Sequence, residues 1–327
     1  MKYSAYYVEE IDGVFSASIS ELELKKPSDG FVQIQVSCSS LNYKDALSAS
    51  GNKGVTRNYP FVPGIDAAGT ISDANSSNFV EGDEVLVTGY DMGMNTPGGF
   101  GEFINVPANW VVKKPSALTS IEAMSIGTAG LTAAASVLKI QESSQESDLP
   151  VLVSGATGGV GSIGVMLMSK LDKEVTALTG KSSSVDFLKS IGAKNVILRD
   201  DFLEGPVKPM ERALFSSAID TVGGNVLSKM LTQISPHGVV ACCGNVAGIE
   251  VNTTVFPFIL RGITLAGIDS AESSLEFKTN VWRKFANEWK LDLSPIIKVV
   301  SKENLQQEID LILQGGQQGR VVLKHGE

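Results

Sequence analysis

The sequence predicts an α/β protein of two domains, a β-rich barrel and a doubly wound parallel sheet. Three observations carry this. Short apolar runs between glycine turns fill the first 122 residues. Strands alternate with helices over more than a hundred residues after that. Between them, Pro150-Val-Leu-Val-Ser-Gly-Ala-Thr-Gly-Gly-Val-Gly-Ser162 joins a buried strand to a helix through a glycine turn.

In the front segment, Phe31 to Val36 alternates apolar and polar residues. Asp66 to Ile71 follows Pro63-Gly64, Glu84 to Val87 follows Glu81-Gly-Asp83, and Glu102 to Val106 follows Gly98, Gly99 and Gly101. This density of strands and turns predicts a partly open barrel. From Ile121 to Ala135 small residues dominate, which suits tightly packed helices, and the polar stretch Gln141 to Asp148 reads as a surface loop.

Val151 to Ser154 then forms the first strand of the second domain. Gly155, Gly158, Gly159 and Gly161 follow, then the helical run Ile163 to Met168 and a second strand, Glu174 to Leu178. Glycines let the turn be tight and bring backbone N–H groups close to a pyrophosphate, with the helix N-terminus favouring negative charge. Gly158, Gly159, Val160 and Gly161 are therefore assigned to a dinucleotide. Val185 to Ile191 reads as a helix stopped by Gly192. Asn195 to Leu198, Ser217 to Val222 and Gly238 to Cys243 read as strands. Near the end, Leu305 to Leu313 is an amphipathic helix and Arg320 to Lys324 a final strand.

An NAD-specific unit places Asp or Glu at the end of its second strand, where it accepts from the ribose hydroxyls. Here the strand runs into Thr179-Gly-Lys-Ser-Ser183 without an acid. Lys181 supplies charge, Thr179 and Ser182 supply donors, and Gly180 leaves room. This suits a 2′-phosphate, hence NADPH; the alternative is a solvated loop lysine.

Bulk properties exclude several classes. A net charge of −9 argues against a general nucleic-acid or anionic-membrane surface. No run of about eighteen apolar residues points to a membrane span, and the start reads directly into a strand rather than a signal peptide. Three cysteines (Cys38, Cys242 and Cys243) and two histidines (His237 and His325) offer neither a disulfide framework nor zinc spacing. No metal and a reducing cytoplasm are the expectations. The adjacent cysteines read as packing residues at a strand end rather than a redox pair.

Asn42-Tyr-Lys-Asp45, Pro63 to Gly69, Glu81 to Val85, Gly127-Thr-Ala-Gly-Leu-Thr-Ala133 and Gly155 to Gly161 occur in one order across most of the chain. In this the chain resembles the medium-chain dehydrogenase/reductase superfamily. Leu41 to Leu47, Ala218 to Gly224, Phe256 to Arg261, Gly267 to Ser270 and Gln318-Gly-Arg320 narrow the resemblance to the zinc-free quinone-oxidoreductase branch, and within it to the acrylyl-CoA reductases. Zinc alcohol dehydrogenases of the superfamily carry a cysteine where this chain has Asn42 and a histidine where it has Asp66.

The resemblance implies a GroES-like β-barrel domain (residues 1–122 and 292–327) and a Rossmann NADPH-binding domain (residues 123–291). It also implies a homodimer and reduction of an activated C=C bond, such as acrylyl-CoA to propanoyl-CoA. NADPH:quinone reduction is the alternative, and a non-catalytic NADPH-binding protein a third reading. Without zinc, hydrogen-bond donors must stabilise the developing enolate oxygen. Tyr43, which follows a strand where the superfamily faces the nicotinamide, is the first candidate; the alternative is a core aromatic with a satisfied hydroxyl. Asn42 suits an orienting amide, and Asp45 suits holding a helix start. By resemblance, Thr128, Asn245, Ile259, Ser270, Gln318 and Arg320 join the cofactor contacts, Arg320 having an ion pair as its alternative. Lys44, Lys53, Arg57 and Arg261 are candidate cations for a CoA thioester's phosphates, with a solvated surface charge as the alternative for each.

Overall fold

The computed structural model describes residues 1–75, 77–143, 147–206 and 208–326. It divides into two compact units, Met1–Thr128 with Ala271–Glu327, and Ala129–Ser270.

The first unit opens with a hairpin, β1 (Lys2–Ile11) and β2 (Val14–Glu23), turned by the left-handed pair Asp12 and Gly13. Then come β3 (Phe31–Leu41), α1 (Tyr43–Ala49), β4 (Asp66–Asp73), β5 (Glu84–Thr88), β6 (Phe103–Pro107), β7 (Val112–Lys113) and the start of α2 (Ser120–Ser143), whose residues from Ala129 on belong to the second unit. β3 to β5 follow the apolar runs read from the sequence. Val32, Ile34, Val36, Ala67, Ile71, Val85 and Val87 are the inward positions, and they form one apolar cluster with Ile104 and Val106. α2 comprises two helical stretches joined across a kink, in keeping with the helices expected from Ile121 to Ala135. It is broken at Gly127, whose φ of 49° and ψ of −157° leave the helical region. Residues 144–146 of the polar stretch expected as a loop lie outside the described residues.

In the second unit come β8 (Val151–Ser154), α3 (Gly159–Lys170), β9 (Val175–Thr179), α4 (Val185–Ser190), β10 (Asn195–Leu198) and α5 (Arg199–Leu203). They are followed by β11 (Ala218–Asp220), α6 (Gly224–Thr232), β12 (Val239–Cys242), α7 (Phe256–Arg261) and β13 (Thr264–Gly267). The strands form one parallel sheet in the order β10-β9-β8-β11-β12-β13. This is the doubly wound order, with the switch point between β8 and β11. Leu152, Leu178, Ala218, Val240, Leu227, Leu231 and Ile234 pack as its core.

The chain then returns to the first unit through α8 (Leu275–Ala286), β14 (Ile297–Val300), α9 (Leu305–Leu313) and β15 (Arg320–Lys324). The larger sheet of that unit runs β14-β15-β3-β4-β5-β7, with β6 also on β3. Its fold is the GroES-like barrel, and the fold of the second unit is a Rossmann-type parallel sheet. The division between compact units falls at Ser270/Ala271, whereas the sequence suggests a return near residue 292. The physical reason lies on α8. Its Lys278, only 1% exposed, donates to the carbonyls of Thr88 and Ala271 and sits 3.1 Å from the Tyr90 ring centroid. These long-range contacts tie the helix to the barrel and leave no local pattern.

Candidate active site

Two clusters of functional side chains are built, one in each unit. In the second, Gly155 is left-handed (φ 55°), and a Cβ there would lie 2.2 Å from the Thr221 hydroxyl. At Gly161 a Cβ would lie 2.3 Å from the carbonyl oxygen of Gly155, so α3 packs directly on the turn. Gly158 is different: as the N-cap of α3 it meets only the Gly155 oxygen, at 3.3 Å. No side chain caps the helix and no acid stands in its first turn. The first N–H groups, from Gly159, Val160 and Gly161, are therefore available to an anion.

At the end of β9, the Thr179 hydroxyl accepts from the Lys181 N–H at 3.1 Å. Partial burial pushes the Lys181 pKa down. A third group joins them that sequence reasoning did not name. Leu198 on β10 lies in register with Thr179, so the next residue, Arg199, comes beside Gly180. A Cβ on Gly180 would lie 3.3 Å from the guanidinium carbon. The signal available in the sequence was parallel pairing: residues that end neighbouring strands lie side by side. Two cations and a hydroxyl around a glycine, with no acid ending β9, suit a ribose 2′-phosphate.

Asp220 holds the switch point together. Fully buried, it accepts from the Ser154 hydroxyl at 2.7 Å and from the N–H of Gly223 at 2.9 Å, and desolvation pushes its pKa up. Cys242 points its thiol at the Asp220 carboxylate and Cys243 at its carbonyl. Burial, then the Asp220 charge, pushes the Cys243 thiol up to about 12, so it carries little thiolate. Asn245 is exposed in the loop after β12, against Gly223. Ser270 is buried, its hydroxyl 2.6 Å from that of Thr132. Ile259 is 67% exposed on α7.

In the first unit, Asn42, Tyr43, Thr128 and Arg320 come together with two buried acids. Asn42 is the N-cap of α1, and Asp45, three residues on, accepts its N–H at 2.8 Å and its side-chain amide at 3.1 Å. The same amide donates to Asp66 at 2.8 Å, and its oxygen accepts from Arg320 at 3.2 Å. Asp66 also accepts from the Ser40 hydroxyl (2.5 Å), the Thr128 N–H (3.0 Å) and the Thr128 hydroxyl (2.6 Å). The break at Gly127 frees that N–H. Asp45 accepts Ile65 N–H at 2.8 Å; desolvation, then the Asp66 charge, pushes it up to about 7.

Arg320, placed among the cofactor contacts by resemblance, is 2% exposed and donates to the carbonyls of Ser125 and Leu41 as well as to Asn42. Gln318, two residues earlier, is exposed. Tyr43 is 39% exposed at the first position of α1, and its hydroxyl has no partner among the described residues, so it is not a satisfied core aromatic. Of the four cations considered for substrate phosphates, Arg261 is spent on the carbonyls of Thr232, Ile234 and Glu211, and Lys53 pairs with Glu10. Lys44 is half-buried and Arg57 exposed, both in the first unit.

Comparison with known proteins agrees with this layout. The alcohol dehydrogenase GroES-like domain matches residues 28–116, and the zinc-binding dehydrogenase domain matches residues 159–287. The chain is 42% identical to "Putative quinone oxidoreductase YhfP" of Bacillus subtilis, over 91% of each protein. It belongs to the medium-chain dehydrogenase/reductases, in their quinone-oxidoreductase branch. It is also 36% identical to the acrylyl-CoA reductase AcuI of Ruegeria pomeroyi, over 96% of each. Among solved structures, the yhdH oxidoreductase of Salmonella enterica in complex with NADP superimposes with a TM-score of 0.94 at 38% identity, covering 99% of this chain and 100% of that one.

This branch member is an oxidoreductase, and its donor set does not suit the zinc in the name of its second domain. The Asn42 amide nitrogen faces two carboxylates and Asp66 is saturated by donors. No group of three His, Cys, Asp or Glu side chains suits a metal among the described residues.

Proposed function

We propose that the protein is a metal-independent NADPH-dependent 2-enoyl reductase, acting on acrylyl-CoA to give propanoyl-CoA. The observation that carries the reading is the trio Thr179, Lys181 and Arg199 around Gly180 in the second unit; the first unit separately offers a partly exposed Tyr43 with an uncommitted hydroxyl. Gly158 to Gly161 hold the pyrophosphate and the trio holds the 2′-phosphate, with Asn245, Ile259, Ser270 and Gln318 completing the contacts. NADPH supplies the hydride for the β-carbon. Tyr43 donates to the thioester oxygen as negative charge develops there, and Asn42 orients the first turn of α1. The α-carbon takes its proton from solvent. Lys44 and Arg57 serve the phosphates of the substrate.

The test is NADPH oxidation with acrylyl-CoA, set against NADH and against a simple quinone. Turnover requiring both NADPH and acrylyl-CoA is expected; turnover with quinone alone would replace the thioester reading. The kinship to a quinone reductase favours quinone as the second reading. Tyr43→Phe is expected to lower kcat by about a hundredfold with little change in KM for NADPH, and an unchanged kcat would remove Tyr43 from the chemistry.

The protein is further proposed to be a cytoplasmic homodimer. β13 is an outer strand of its sheet, and Val246, Ile249, Val255, Phe256, Ile259, Leu260 and Leu265 expose apolar surface before and along it. An open strand edge with apolar flanks pairs readily with its own copy across a two-fold axis. Sedimentation is expected to give twice the chain mass; a monomer at micromolar concentration would refute pairing.

A further inference from the structure

We propose that Asp45, Asp66 and Arg320 are positioning residues that lock the Asn42 carboxamide in one orientation and so fix the aim of the Tyr43 hydroxyl. The inference rests on the reading of Tyr43 as the donor to the substrate.

An amide has one acceptor and two donor hydrogens. At Asn42 the acceptor meets a guanidinium, and the nitrogen lies between two carboxylates. A flipped amide would turn its NH2 to Arg320 and its oxygen to Asp45 and Asp66, losing three charge-assisted contacts at once. The backbone is held from the same groups. Asp45 takes the Asn42 N–H, and Arg320 donates to the carbonyl of Leu41, so both polar groups of the Leu41–Asn42 peptide are tied. Asp45 also holds Ile65, and Asp66 holds Ser40 and Thr128. The neighbouring strands and the kinked helix are thereby fixed to one cluster.

Capping a helix of seven residues does not require this. A single Asp at the third position would suffice, and burying a second carboxylate with an arginine is costly compared with apolar packing. The cluster lies directly before the one tyrosine of α1, which stands partly exposed. Orientation of that side chain is the function that the extra charges serve.

The groups facing Asp45 are Asn42 on its own turn, Asp66 on β4 and Ile65 just before it; Arg320 on β15 faces Asn42. Two carboxylates against one guanidinium leave the cluster neutral only while it holds a proton. The contacts to Asp45 come from N–H donors (Asn42 N–H, the Asn42 amide and Ile65 N–H) and suit its ionised form, so the lock tightens and kcat rises as pH rises through about 7.

The experiment compares wild type with Asp45→Asn, Asp66→Asn and Arg320→Lys, and with the same changes made in Tyr43→Phe. Expected are a fall in kcat of about tenfold or more, NADPH affinity within about twofold of wild type, and no further loss in the Tyr43→Phe background. The rise of kcat near pH 7 is expected to vanish in Asp45→Asn, which stays at the low level at every pH. Circular dichroism and NADPH binding confirm that each variant is folded. Independently of turnover, the ring of isotope-labelled Tyr43 is expected to give one NMR signal in wild type and a shifted or exchange-broadened one in the variants. If acrylyl-CoA is not reduced, the enoyl reductase reading fails while the NMR comparison still decides the positioning role. A Tyr43 signal unchanged across the folded variants, or losses that add fully to that of Tyr43→Phe, would overturn the inference.

Discussion

Gly127→Ala is expected to destabilise the protein by more than about 3 kcal/mol, the sum of a left-handed backbone strain and a displaced buried carboxylate. The added Cβ would stand 2.6 Å from the Asp66 carboxylate oxygen, 2.7 Å from the Ser40 hydroxyl and 3.2 Å from the Arg320 guanidinium. None of these is a flexible surface group that can swing away: Asp66 and Ser40 are fully buried and Arg320 is 2% exposed. Relief requires moving the carboxylate away from the Thr128 N–H, which it holds at 3.0 Å. Thermal unfolding is expected to shift down by roughly 10 °C. Gly82→Ala is the control. Gly82 is also left-handed, at φ 92°, but has nothing within 4 Å of the built Cβ. Strain alone should cost it about 1 kcal/mol. If the two variants melted together, the contact of Gly127 with the charged cluster would carry no weight.

The double variant Lys181→Ala/Arg199→Ala is expected to raise KM for NADPH by about a hundredfold or more, because each charge-assisted contact to a phosphate contributes about 1.5–3 kcal/mol. KM for NADH is expected to change by less than about threefold. The preference for NADPH should therefore collapse or invert, with kcat preserved. Stability should move little, since the pairing of Arg199 with Asp200 at 3.4 Å is exposed and such pairs contribute little. The measurement is kcat/KM for both cofactors with the same enoyl substrate. Equal losses for NADPH and NADH would mean that the two cations do not reach a 2′-phosphate.

What was legible in the sequence was local. β8, α3 and β9 follow from a buried strand, four close glycines and an apolar helix, all within thirty residues. Each residue's partners there are its near neighbours in the chain. Lys181 was readable because it directly follows the strand that ends at Thr179. Arg199 was not, since it reaches Gly180 through strand pairing across nineteen residues.

The charged cluster lay further from view. Asp66 meets Asn42 across 24 residues, Thr128 meets Asp66 across 62, and Arg320 meets Asn42 across 278. No periodicity encodes such distances, and an arginine after Gln318-Gly looks like a surface residue until its strand is paired. The same cause moved the limit of the first unit from residue 292 to Ala271, because Lys278 is held by Thr88. Asp45 was readable in part, as a helix-start residue three positions after Asn42. That it is buried beside a second acid was not.

The pairing of β15 with β3 bears on how the molecule is made. Val321 lies opposite Leu41 and Leu323 opposite Ser39, so the strand that leads into α1 has an open side until residues 320–324 leave the ribosome. Arg320 arrives on that same strand. Every residue of the cluster except its cation is therefore synthesised long before the cation. Until then the two aspartates have no buried counter-charge, and burying them is more costly than leaving them in water.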